Sequence, residues 1–238
     1  MTKASKASRR KRRWVKWIFL GPILAVLLIQ LYFFAQVCWF TRFNPPSTSM
    51  QRAQLAELRK TNPNAKLEKI WVPYNRISDN LKRAVIASED ANFTEHDGVD
   101  WDALESAYVK NNKRHRVVGG GSTITQQLAK NLFLSGSRSY LRKGQELVIA
   151  FMLESVMDKE RILEIYLNSV EFGRGVFGAE AAARHYFHTT AASLNGAQAA
   201  RLAVMLPNPR YYDQHRETSY LARRTSIIQR RMNFADLP

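Results

Sequence analysis

The chain has 238 residues, 45% hydrophobic and 11% aromatic, which excludes a wholly disordered chain and supports a real core. A single cysteine, Cys38, excludes an intramolecular disulfide framework and a cysteine-rich zinc site. The net charge of +16, from 36 basic and 20 acidic residues, points to an anionic partner: nucleic acid, a membrane surface or a phosphorylated substrate.

Half of that excess lies in residues 1–17, which hold eight basic residues (Lys3, Lys6, Arg9, Arg10, Lys11, Arg12, Arg13 and Lys16) and no acidic one. Residues 18–40 then carry no charge. A helix of that length rises roughly 35 Å, enough for a hydrocarbon core of about 30 Å. Trp14, Trp17 and Trp39 flank it where aromatic belts sit. A cleaved signal peptide has a shorter apolar region and a small-residue cleavage site, and none follows here. The basic arm therefore predicts a cytoplasmic N-terminus, a single-pass transmembrane helix over 18–40 and an exported remainder. Beside a membrane span, the arm fits topology and anionic lipid better than nucleic acid.

Residues 41–66 read as a juxtamembrane linker, with a break at Asn44-Pro45-Pro46-Ser47, a short helix over Gln51 to Lys60 and a second break at Asn62-Pro63-Asn64. Residues 67–238 read as one mainly α domain with weak strand signals. Ser78 caps a helix that places Leu81, Val85 and Glu89 on one face. A glycine turn, Gly119-Gly120-Gly121-Ser122, precedes helix-compatible Thr123 to Leu134. Arg142 to Asn168 reads as one long helix whose centre, Leu147 to Leu153, is apolar at every position and expected to be buried on all sides. Two alanine-rich helices, Ala179 to Tyr186 and Ala197 to Leu206, follow, the last ended by Pro207 and Pro209.

Two carboxylates stand at unusual positions. Glu89 lies on an apolar stripe, where burial raises a carboxyl pKa and suits it to acid–base work. An exposed acidic helix end capped by Asp90 and Gly98 accounts for the same segment equally well. His96 with Asp97 and Asp100 lacks an established metal-ligand spacing. Glu146 opens the apolar helix just after Arg142 and Lys143, where a dipole-complementing role is the simpler reading. Paired carboxylates in one cleft are nonetheless the recurring apparatus for chemistry at a sugar's anomeric carbon. Between Glu105 and Glu146 there are eight basic residues and no acidic one, and the glycine turn is expected to leave free N–H groups that add to an anion-attracting region. Lys130 and Arg138, set among apolar and small residues, are the better ligand candidates. No nucleotide-binding glycine fingerprint or Walker lysine occurs.

In order, the segments Glu89-Asp90-x-x-Phe93-x-x-His96-x-Gly98-x-Asp100, Gly120-Gly121-Ser122-Thr123-Ile124-Thr125-Gln126-Gln127-Leu128-Ala129-Lys130-Asn131, Arg142-Lys143-x-x-Glu146, Arg161-Ile162-Leu163-Glu164-x-Tyr166-Leu167-Asn168 and Phe172-Gly173-x-Gly175-Val176-Phe177-Gly178 resemble the peptidoglycan glycosyltransferases, family 51 of the glycosyltransferases. Leu206-Pro207-Asn208-Pro209 closes the pattern. Ser-x-x-Lys and Lys-Thr-Gly transpeptidase motifs are absent, so the resemblance is to the monofunctional members. Gln145 departs from members with a basic residue there, and His188 from the many with glycine.

The resemblance implies a lysozyme-like bilobal fold, a large lobe with a small membrane-dipping jaw near Phe93 to Val118. It implies polymerisation of lipid II onto a nascent glycan strand, with inversion and release of undecaprenyl diphosphate. By the same resemblance Glu89 is the general base and Glu146 assists near the leaving group. Lys130 and Arg138 neutralise the diphosphate; Ser122, Gln126, Gln127, Asn131 and Lys143 belong to the substrate-binding set. No cofactor is obligatory, and a divalent cation (Mg or Mn) near Glu146 is one way that residue could act. Expected partners are membrane lipids and cell-wall synthesis or division proteins, not nucleic acid; the expected location is the inner membrane, with the domain periplasmic. A lytic transglycosylase or muramidase and an inactive anchored scaffold are the rival readings.

Overall fold

The structure is a computed structural model that describes residues 3–114, 121–134, 136, 137 and 139–238. It divides into a unit ending at Arg42 and a unit spanning Phe43–Pro238. The first is one helix, α1 (Lys3–Phe40). Its stretch Leu20–Phe40, with mean hydropathy 2.1, is long and apolar enough to cross a membrane. Most of its side chains face outward, as lipid-facing residues do.

The second unit is mainly α. Helix α2 (Ser49–Thr61) lies inside the stretch expected as a linker. It starts with a reciprocal cap: Thr48 Oγ1 accepts from the Gln51 amide and Gln51 Oε1 accepts from the Thr48 amide, both at 3.1 Å. Helix α3 (Asp79–Glu89) begins where the Ser78 hydroxyl accepts from the Leu81 amide. It packs against α9 (Gly196–Met205) and α11 (Ser219–Arg231). Small side chains make that packing close: Ala84 of α3 and Ala199, Ala200 and Ala203 of α9 are fully buried. Helix α5 (Ile124–Phe133) packs against α2, α6 (Tyr140–Val156) and α7 (Lys159–Ser169). Helices α4 (Trp101–Arg114), α8 (Ala179–Phe187) and α10 (Pro209–Gln214) complete the helical set among the described residues.

The strands are short: β1 (Glu68–Lys69), β2 (Glu171–Gly173) and β3 (Val176–Phe177). Their order is β1-β3-β2, with β1 parallel and β2 antiparallel to β3. Gly178 follows at φ +85°, and a Cβ there would meet the Asn168 carbonyl oxygen at 2.7 Å. Only glycine lets β3 turn into α8 so close to the end of α7.

Two expectations are corrected. The helix expected over Arg142–Asn168 is two helices. Met157 is extended and Asp158 caps α7 through its carboxylate, which accepts from the Arg161 amide at 2.7 Å. A local side-chain cap thus breaks a stretch with neither proline nor glycine at the joint. The apolar centre of α6 is not buried on all sides: Ile149, Ala150 and Leu153 face the core, while Val148 and Phe151 are exposed. Exposed Trp101, Leu104 and Val109 give α4 an apolar surface as well. Of the jaw expected near Phe93 to Val118, residues 115–118 lie outside the described residues.

Candidate active site

Glu89 is the last residue of α3, so its side chain leaves the helix where the chain turns into the 90–100 loop. That loop is tied down by its own polar groups. Asp90 Oδ1 contacts His96 Nε2 at 2.9 Å, and His96 Nδ1 accepts from the Gly98 amide at 3.1 Å. Asp100 accepts from Asn92 Nδ2 at 2.9 Å and from the Ala103 amide at 2.7 Å. His96, Asp97 and Asp100 do not converge as a metal centre; among the described residues no group of three His, Cys, Asp or Glu side chains does. His96 and Asp90 hold the loop's shape.

Asp90 Oδ2 also accepts from the Ile124 amide at the start of α5, 2.9 Å away. The Thr123 hydroxyl accepts from the Gln126 amide and donates to the Gly98 carbonyl oxygen. Two N–H groups at this helix start, those of Ile124 and Gln126, are thus spent inside the protein and are not free for an anion. Gly119 and Gly120 lie outside the described residues. Gly121 packs against α4, where a Cβ would meet Leu104 Cα at 3.0 Å.

Glu89, Ser88, Asn92, Asp100, Ser122 and Thr123 are among the residues lining a cavity of about 170 Å³. One Glu89 oxygen, Oε2, accepts from Gln127 Nε2 at 2.9 Å. Burial pushes the Glu89 carboxyl above the usual glutamate range, and the nearby Asp90 charge adds to it. Hydrogen bonds from Gln127 and Ser88 and the Lys130 charge oppose the shift without cancelling it. The result is a carboxylate with enhanced affinity for a proton, facing a cavity, as a general base requires.

Glu146 lies on the first turns of α6 and is 3% exposed. Arg142 Nη1 donates to its Oε2 and Lys143 Nζ to its Oε1, both at 2.5 Å. The Lys143 ammonium also donates to Ser122 Oγ and Gln126 Oε1, each at 3.0 Å. Ser122, Gln126, Lys143 and Glu146 thus form one connected group, and Ser122 joins it to the Glu89 cavity. The Lys130 side chain, on α5, makes no hydrogen bond or ion pair among the described residues. Burial draws its pKa below the usual lysine range; the Glu146 charge opposes this, Arg142 and Lys143 add to it, and Glu89 opposes it. A desolvated cation with no side-chain hydrogen bond or ion pair among the described residues is costly in a resting protein and well placed to meet an incoming anion.

Of the remaining expected site residues, Asn131 is buried on α5 and its side chain makes no hydrogen bond among the described residues. Arg138 lies outside the described residues. Sequence reasoning assigned no role to Tyr166, whose hydroxyl donates to Gln127 Oε1 at 3.0 Å. Its signal was a tyrosine in the fourth motif at a position flanked by apolar residues. It also missed the Thr125–Glu154–Lys159 group, in which Glu154 Oε1 accepts from the Thr125 hydroxyl at 2.6 Å and from Lys159 Nζ at 2.8 Å.

A family model described as "Transglycosylase" matches residues 54–233. Among curated proteins, the "Biosynthetic peptidoglycan transglycosylase" of Janthinobacterium sp. (strain Marseille) is 66% identical over 227 residues, covering 95% of this chain and 98% of that protein. Proteins of the same description from Bordetella avium (strain 197N) and Burkholderia thailandensis are 56% and 55% identical. Each covers 98% of this chain, with 100% and 92% of the relatives matched. The match takes in every helix from α3 to α11, including those that carry Glu89, Lys130 and Glu146, and on that breadth the chain belongs to the transglycosylase family, whose domain is lysozyme-like.

Proposed function

We propose that this chain is a peptidoglycan glycosyltransferase that polymerises lipid II into β-1,4-linked glycan for the cell wall, with Glu89 as its general base. The relatives' shared description supports the reaction class. The observation that carries the residue assignment is the Glu89 carboxylate, desolvated beside a cavity and held by Gln127, with Lys130, whose side chain makes no hydrogen bond or ion pair among the described residues, on the same α5 helix.

The 4-hydroxyl of the acceptor lipid II gives its proton to Glu89 as its oxygen attacks the donor's anomeric carbon. The bond from that carbon to the diphosphate oxygen breaks on the opposite face, which inverts the centre. Undecaprenyl diphosphate leaves with the bonding electron pair. Lys130 meets the negative charge that develops on the leaving group. Arg142 and Lys143 stand beside it, held on Glu146. Glu146 is a poor ligand for a resident divalent cation, because each of its oxygens already accepts a charged donor at 2.5 Å. Ser122 and Gln126 orient Lys143, and Gln127 orients Glu89. A glycan-cleaving enzyme needs a catalytic carboxylate but no cation for a diphosphate, so Lys130 favours synthesis over cleavage.

The anchor completes the reading. Helix α1 holds the chain in the membrane, its basic arm on the cytoplasmic side and residues 67–238 in the periplasm. The exposed Trp101, Leu104, Val148 and Phe151 suit contact with membrane lipid. The test is incubation of the detergent-solubilised full chain with labelled lipid II, with products resolved before and after muramidase digestion. A ladder that muramidase collapses, absent for Glu89→Gln, supports the proposal. Cleavage of preformed glycan without polymerisation, or normal polymerisation by Glu89→Gln, overturns it.

A further inference from the structure

Tyr166 is fully buried on α7, and its hydroxyl donates to Gln127 Oε1 at 3.0 Å. The other end of the same amide donates from Nε2 to Glu89 Oε2 at 2.9 Å. An amide group is planar and has one oxygen and one nitrogen end, so the partner at one end dictates what the other end presents. We infer that Tyr166 is a positioning residue for the reaction: its hydroxyl locks the Gln127 amide so that the NH₂ group, and not the carbonyl oxygen, faces Glu89. The inference rests on the reading of Glu89 as the base and names what keeps that base in its working form.

The chemistry of the pair makes the lock necessary. Nothing about Gln127 alone prevents its amide from turning over. In the turned state its oxygen would face the Glu89 carboxylate, where two acceptors meet without a proton. Glu89 would relieve this by holding a proton, and a protonated Glu89 cannot act as base. A tyrosine hydroxyl this deeply buried stays protonated, because burial, with the Glu89 and Asp90 charges, pushes its pKa well above the ordinary value. It therefore keeps a proton to donate at neutral pH; were the amide turned, the Tyr166 oxygen could accept from the NH₂ group, but its own buried proton would be left without an acceptor among the described residues. Among the described residues the Tyr166 hydroxyl makes no other hydrogen bond. A phenylalanine would fill the same space, so packing alone does not call for the oxygen. The charged and titratable groups around Glu89 among the described residues are Asp90 from its own helix end, Lys130 from α5 and Tyr166 from α7. Of these, Tyr166 acts on Glu89 through the neutral amide, so its removal changes no net charge.

The test is the pH dependence of lipid II polymerisation by the full chain carrying Tyr166→Phe, Gln127→Ala, both, or Glu89→Gln. Tyr166→Phe should lose roughly tenfold in kcat/KM at neutral pH, in keeping with loss of one hydrogen bond that supports a charge. Its acid limb should move to higher pH, with KM for lipid II unchanged because Tyr166 touches no substrate. Gln127→Ala should move the limb in the same direction, and adding Tyr166→Phe to it should change nothing further. A shared limb with an unchanged tenfold loss, or additive losses in the double variant, overturns the inference. Failure of Tyr166→Phe to fold also overturns it, since the hydroxyl would then be structural. Normal polymerisation by Glu89→Gln overturns the base reading itself; an inactive Glu89→Gln beside an unaffected Tyr166→Phe overturns only the role of Tyr166.

Discussion

Replacing Glu146 by glutamine tests whether one buried carboxylate sustains the cationic side of the site. Glu146 holds Arg142 and Lys143 at 2.5 Å each, with side-chain exposures of 4% for the glutamate, 18% for the arginine and 39% for the lysine. Removing one partner of a fully buried pair costs about 3–5 kcal/mol. Here the cations reach partial solvent, and Lys143 keeps Ser122 and Gln126, so the expected cost falls to about 2 kcal/mol. For a domain of this size that lowers Tm by roughly 4–8 °C. The second effect falls on Lys130. Glu146 is the strongest of the charges that hold its pKa up, so the variant's Lys130 loses its proton more readily. Polymerisation should fall at neutral pH, and its basic limb should move to lower pH. Thermal unfolding followed by circular dichroism and polymerisation measured across pH read the two effects separately. A Tm within 1 °C of the parent (a threshold of about 0.3–0.5 kcal/mol) together with an unmoved basic limb would refute the reasoning.

Other outcomes follow from the same geometry. Lys130→Met should cut polymerisation by about a hundredfold or more while leaving Tm unchanged or higher, because the removed charge is desolvated and makes no side-chain hydrogen bond or ion pair among the described residues; a fall in Tm would contradict this. Glu89→Gln should be more stable than the parent above the ordinary glutamate range. The native carboxyl binds its proton more tightly than the unfolded one, so the parent loses stability as pH rises between the two pKa values; the gap between variants should close on acidification, as urea titrations at several pH values would read. The parent's own activity should fall on the acid side at a pH above the ordinary glutamate range, and on the alkaline side below the ordinary lysine range. At the ends of α8, Gly178→Ala should cost about 2 kcal/mol or more, since φ is +85° and the new Cβ meets a backbone oxygen. His188→Gly should gain about 0.5–1 kcal/mol, because His188 ends α8 in the left-handed conformation at φ 52°. Both are read from Tm.

His188 shows how a departure from the family pattern becomes legible only in the fold. In the sequence it is a histidine where the resemblance implies glycine; in the structure it is the residue that leaves α8 in the left-handed conformation, which is a backbone reason to prefer glycine. The local signals were the readable ones. The Ser78 cap, the start of α5 after Thr123 and the alanine-rich helices follow from neighbours within four residues, and the structure has them there. The joint at Met157-Asp158 was missed because a mid-sequence aspartate can equally ride on a helix surface; only its bond to the Arg161 amide makes it a cap. The exposed face of α6 was missed because apolarity alone does not tell whether a side chain is buried or left at the surface. In the site, the two carboxylates stood out by their settings, Glu89 on an apolar stripe and Glu146 beside two cations. The partners that tune Glu89 did not, since Gln127 lies 38 residues away and Tyr166 a further 39 from Gln127. Asp90 likewise reaches the start of α5 across 34 residues.

Helix α6 carries two kinds of information on one rigid rod. Glu146 and its cations sit near its start, and Val148 and Phe151 project outward a turn further on. From Glu146 to Phe151 the helix rises about 7.5 Å. No proline or glycine lies between Glu146 and Phe151, so nothing along that stretch can hinge. The exposed apolar face and the cationic cluster therefore move as one body. Whatever covers Val148 and Phe151 also fixes where Arg142, Lys143 and Glu146 stand relative to it.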